Sequence, residues 1–148
     1  MKPEIDFTLR SISAKLLSEV APAIGDPYVR SNVEVIAGLM MAAAEEYDRA
    51  AHVRAEENGV MRQIFREAAP FVAEASLRMR LEAAAREPEA SFLVSDLSAA
   101  NDRLRALLVE LHAFVEVRDE EWARRTNRAI WDELDASTKR RALSFWPL

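Results

Sequence analysis

Glycine is scarce in this chain, and no other sequence feature constrains the fold as strongly. Only Gly25, Gly38 and Gly59 occur in 148 residues. Sandwiches, barrels and nucleotide-binding α/β folds need more turn glycines and more β-branched runs than this. The chain is dominated instead by Ala, Leu, Glu and Arg, all good helix formers. It therefore reads as all-α, an antiparallel helical bundle of four long helices plus one or two short ones. Its length suits a single helical-bundle domain, 1–148, able to bury a core without disulfide or metal staples.

The helix boundaries follow from caps, prolines and apolar spacing. Asp6 is the expected first N-cap, followed by Leu9, Ile12, Leu16, Leu17 and Val20 at helical spacing. Pro22 and the Gly25-Asp26-Pro27 cluster close that helix and open the next, with Asp26 capping and Pro27 in the first turn. In this second helix Val29, Val33, Ile36, Met40, Ala43, Tyr47 and Ala50 recur in steps of four and three, the period of a packing seam. Asn58-Gly59 is its expected stop. A helix of about 30 residues runs roughly 45 Å, long for a small domain.

A shorter helix carrying Val60, Ile64, Phe65 and Ala68 is expected to break at Pro70, and Phe71 to Arg86 resumes the pattern until Pro88. Glu87 to Ser95 reads as a loop. Ser95 or Asp96 then caps a helix whose seam is Leu97, Ala100, Leu104, Leu107, Leu111 and Phe114. The last long helix starts near Asp119 and carries Trp122, Thr126, Ile130 and Leu134, with Ser137 or Thr138 capping a final turn. A helix longer than its own domain, with a regular seam, is suited to pack against a copy of itself; a homodimer is the expected assembly.

Composition removes several function classes. The formal net charge is −5, which argues against nucleic acid and anionic membrane as partners. There is no cysteine, so disulfides, zinc fingers and thiol chemistry are excluded. Acids near the start, where a signal peptide needs an apolar core, make a cytoplasmic location the expectation. The longest apolar run, Val35 to Ala44, is about half of a membrane span.

Reactive constellations are equally thin. Glu45, Asp48 and His52 lie at i, i+3 and i+7 on one helix face, and His112 precedes Glu116 by four residues, a weak pattern for a metal site. Di-iron bundles use a Glu three residues before each His, and Arg49 and Val109 stand there instead. The basic stretch from Arg118 to Arg141 is balanced by acids, as on a solvated helix face. Within it Arg124 with Arg128, and Arg140-Arg141 near the end, are the candidate phosphate clamps. No serine sits in a nucleophile elbow and no Gly-rich phosphate loop exists. Adjacent acids such as Glu45-Glu46 and Glu56-Glu57 read as solubility charges. All three tryptophans, Trp122, Trp131 and Trp146, lie in the last 27 residues. Trp122 fits the inward face, while Trp131 and the Phe-Trp-Pro-Leu end are expected to dock against the bundle or, as the alternative, to anchor a partner.

The segment Glu19-Val20-Ala21-Pro22-Ala23-Ile24, with Arg30, Asn32-Val33 and Ile36, resembles a group of small uncharacterised helical bacterial proteins. These are encoded beside acyl-CoA dehydrogenases and aminoglycoside-phosphotransferase-like enzymes. The resemblance covers the first third of the chain and brings no catalytic residues. It implies an accessory or scaffold role. The sequence leans away from an enzyme and implies no cofactor: its expected role is a partner-binding or accessory protein. The alternative is a small-ligand binder or minor enzyme with an apolar interhelical pocket for an acyl-CoA-like or phosphorylated ligand.

Overall fold

The computed structural model describes residues 4–144, all helix and connections with no strand among them. The helices are α1 (Ile5–Lys15), α2 (Ala21–Ala23), α3 (Pro27–Ala68), α4 (Ala75–Arg86), α5 (Val94–Val115) and α6 (Glu121–Arg141). The all-α reading holds. The described residues form two compact units: a hairpin unit, residues 4–50 with 143–144, and a helical body, residues 51–142.

In the hairpin unit α1 begins at Ile5, so Asp6 does not cap it. Asp6 lies in the first turn instead, where a carboxylate suits the positive end of the helix dipole. From Leu16 to Val20 the helix widens into a π-turn before the Ala21–Ala23 stub. Pro22 supplies the physical reason: it has no N–H to donate, and its ring would crowd the carbonyl four residues back. Asp26 caps α3 as expected, its Oδ1 accepting from the N–H groups of Tyr28 (2.8 Å) and Val29 (3.3 Å). The Arg30 guanidinium ties the turn by donating to the Ile24 carbonyl at 2.7 and 3.1 Å.

Gly59 does not end α3, which runs unbroken for 42 residues. A glycine inside a helix costs roughly 1 kcal/mol relative to alanine. Here Glu57 and Asn58 before it and Met61 and Arg62 after it are all buried, and those contacts outweigh the cost. The prolines behave as expected: Pro70 lies in a 3-10 turn, Ala69–Phe71, and α4 starts only at Ala75. Ser95 and Asp96 lie inside α5 rather than capping it, because the Leu93 carbonyl already accepts from Asp96 and Leu97. Likewise Ser137 and Thr138 sit within a continuous α6. Their hydroxyls donate back to the Leu134 carbonyl at 3.1 and 3.0 Å, which satisfies them without ending the helix.

The core belongs to the body. Met61, Phe65, Leu77, Leu81, Leu104, Leu108, Leu111, Val115 and Ile130 form one buried cluster drawn from α3, α4, α5 and α6. Each such side chain contributes about 1.5–3 kcal/mol when fully buried. No helix among the described residues is long and apolar enough to cross a membrane.

Candidate functional site

Within the body, one acid is wholly enclosed. Glu57 follows Val53 and precedes Met61 by four residues, so helical spacing places it on the buried stripe of α3. Its carboxylate accepts from Arg141 Nε (2.7 Å) and Nη2 (2.6 Å), a bidentate fork. Arg105 Nη2 and Asn101 Nδ2 complete the shell at 3.2 and 3.1 Å. Asn101 also donates to Asn58 Oδ1 at 2.9 Å, and Asn58 donates to Glu89 Oε1 at 3.0 Å. Burial pushes the Glu57 carboxyl up, but Arg141 and Arg105 outweigh it and hold the group below its ordinary value. Glu133 goes the other way: burial outweighs its bond to Arg140 and raises it. The donors to Glu57 are side chains of this same cluster, so the network reads as internal cross-bracing of α3, α5 and α6. The expectation that Glu57 is a solubility charge is overturned, and so is that for Glu45.

Glu45 lies in the hairpin unit and is also buried. It accepts from the Ser144 hydroxyl (2.7 Å), the Ser144 N–H (2.9 Å) and Arg49 Nη1 (2.7 Å). The Ser144 hydroxyl bond leads in holding its carboxyl below the ordinary value, against burial. This acid therefore fastens the end of the described chain onto α3.

The residues expected from the sequence are dispersed. Trp122 is half-buried, stacked on Phe71 at 5.7 Å and tilted against Phe114 at 6.4 Å. Trp131 is 58% exposed and meets the edge of His112 at 5.5 Å. Trp146 lies outside the described residues. Arg124 and Arg128 are both exposed on α6, and Arg124 donates to the Asp119 carbonyl nearby. His112 Nε2 pairs with Asn127 Oδ1 at 3.0 Å. His52 is exposed beside Glu56 at 3.7 Å, and Asp48 and Glu116 are exposed. Among the described residues no group of three or more His, Asp or Glu is placed to hold a metal ion.

The feature that stands out is how little apolar bulk the hairpin unit encloses: among its described residues the buried apolar ones are Ala21, Ala37, Ala44 and Ala50, alanines only. Ile5, Ile12, Val29, Ile36 and Tyr47 are exposed, while Leu9, Leu16, Val33 and Met40 are half-buried. The seam read from the sequence is therefore real as a pattern, yet for most of its length no described residue covers it. Ser13 Oγ donates to the Ala37 carbonyl at 2.8 Å, and both residues stand twelve positions from Gly25. That pairing fixes an antiparallel hairpin. The stripe Ile5, Leu9, Ile12, Leu16 lies to one side of Ser13, and the α3 seam lies to the same side of Ala37. In an antiparallel pair the two stripes then face the same way and form one apolar face. No charged residue interrupts either stripe. A second apolar strip, Val35, Leu39 and Ala42 with Leu143, lines a groove of about 420 Å³ that borders the seam at Leu39. No protein-family model, no curated protein and no solved structure matches this chain.

Proposed function

We propose that the protein is a non-enzymatic docking protein whose hairpin unit binds another polypeptide, while the body serves as its folded support. The observation that carries this is the uncharged apolar face of α1 and α3 left bare in a unit whose own buried apolar residues are all alanines. A helix pair of this kind gains too little from its own packing to specify a structure and is completed by an added layer. The resemblance in the first third of the chain supports the same accessory role. The test is size fractionation of extract from the native host. The wild-type chain should migrate well above its 16.7 kDa mass, and the double variant Ile36→Glu/Tyr47→Glu should fall to monomer size. Migration of the wild type as a monomer would defeat the reading.

A second reading rests on a recess of about 430 Å³ in the body, floored by Ala84, Ala100, Leu104 and Leu107 and edged by Arg62, Arg80 and Arg103. An apolar floor beside guanidinium groups suits a small anionic ligand with a hydrocarbon part. Each arginine already has an acid: Arg62–Glu89 and Arg80–Glu110 at 2.5 Å, Arg103–Glu87 at 3.6 Å. A ligand anion must compete with these. A thermal-shift series over acyl-CoAs and phosphorylated metabolites tests it, since bound ligand raises the melting temperature by mass action; a flat series removes the reading.

A further inference from the structure

We propose that the occupant of the hairpin's apolar face is a second copy of this chain, the two hairpins closing face to face into an intermolecular four-helix bundle. The inference rests on the docking reading above and names its partner. Three observations converge on self-pairing.

The first is area. Ile5, Ile12, Val29, Ile36 and Tyr47 are 42–61% exposed, so with their half-buried neighbours they leave a patch on the order of 600 Å², at the top of the range for a monomer's largest apolar patch. That is most of the ~800 Å² per partner of a standard interface. The second is charge. Neither stripe carries a charged side chain between Ile5 and Leu16 or between Val29 and Tyr47. The face therefore lacks the charges by which a different partner would be selected, and it meets no like-charge repulsion from its own copy. The third is period. The α3 seam advances by steps of four and three from Val29 to Ala50, the spacing that lets equivalent helices interdigitate across a two-fold axis.

Sedimentation of the purified full-length protein, from submicromolar to hundreds of micromolar, tests the proposal. The expected result is a reversible monomer–dimer equilibrium. Ile36→Glu should weaken the dimer by about 100-fold or more, because it buries an unpaired charge near the centre of the interface, and Tyr47→Glu, at its end, by about 10-fold or more. Both positions are more than half exposed in the single chain, 52% and 61%, so the variants should keep the wild-type helical circular dichroism. Val35→Glu is the control: Val35 is 58% exposed but faces the groove rather than the seam, and its variant should dimerise within about threefold of wild type. A purified wild type that stays monomeric throughout overturns self-pairing. If the same chain still migrates as a large complex in host extract, the docking reading survives with a different partner. A monomer in both settings removes both. A dimer broken by Val35→Glu but not by Ile36→Glu or Tyr47→Glu also overturns the proposal, because the interface is then on the groove side of α3.

Discussion

The hairpin unit and the body are built from the same residue types but use them differently. In the body the apolar positions of α3, α4, α5 and α6 meet one another, and Phe65, Leu81 and Leu111 are fully enclosed. In the hairpin most of the equally regular apolar positions of α1 and α3 are exposed or half-buried, and the apolar side chains enclosed among the described residues are all alanines. The contrast runs along a single helix, since α3 supplies Ile36 to the one unit and Phe65 to the other. A regular seam thus says that a helix face will be covered, and nothing about whether the cover comes from the same chain.

That comparison can be broken in several ways. The largest effect is expected from Phe65→Ala, which leaves a cavity in the body's core and should cost about 3–5 kcal/mol in denaturant unfolding followed by circular dichroism. Ile36→Ala, measured in protein dilute enough to be monomeric, should cost no more than about 0.5 kcal/mol. Comparable losses at the two positions would erase the distinction.

Next comes Glu57→Gln, which leaves Arg141 and Arg105 without their buried counter-charge and should cost about 3 kcal/mol at neutral pH. The folded state holds the Glu57 carboxyl below its ordinary value, so its contribution is present above the unfolded value and is lost as pH falls through the folded one. Glu133 is raised, so its contribution has the opposite sign: it is present at low pH and lost as pH rises through the folded value. The acid limb of the wild-type stability curve should therefore be steeper than that of the Glu57→Gln variant; matching curves would show that Glu57 is not the acid-sensitive group.

The smallest expected effect is at the hairpin's turn. Asp26→Ala removes the carboxylate that accepts from Tyr28 and Val29, at a cost of about 1 kcal/mol. Hydrogen exchange at those two amides should speed up while the Phe65 amide is unchanged. A change spread over the whole chain would mean that the two units do not respond separately.

Much of the helix plan was legible because caps and prolines act locally: Asp26-Pro27, Pro70 and Pro88 fall where their chemistry requires. Gly59 misled because its local cost is opposed by burial on both sides, which spacing within a few residues does not reveal. Glu57 was legible in retrospect. It stands four residues from both Val53 and Met61 on the buried stripe, so its position argued for enclosure while its charge argued for solvent. Its partner Arg141 lies 84 residues away, and no local pattern connects the two. The exposure of the Ile36 seam was likewise invisible, because periodicity records the need for a partner and not the partner's identity.

The reach from Glu57 to Arg141 bears on how the chain acquires its shape during synthesis. When α3 and α5 have left the ribosome, Glu57 can find Asn101 and Arg105 but not the bidentate fork that makes its enclosure tolerable. That fork arrives with the last turn of α6. The body is therefore expected to lock only once Arg141 has emerged, with its earlier helices held in a looser collapsed state until then.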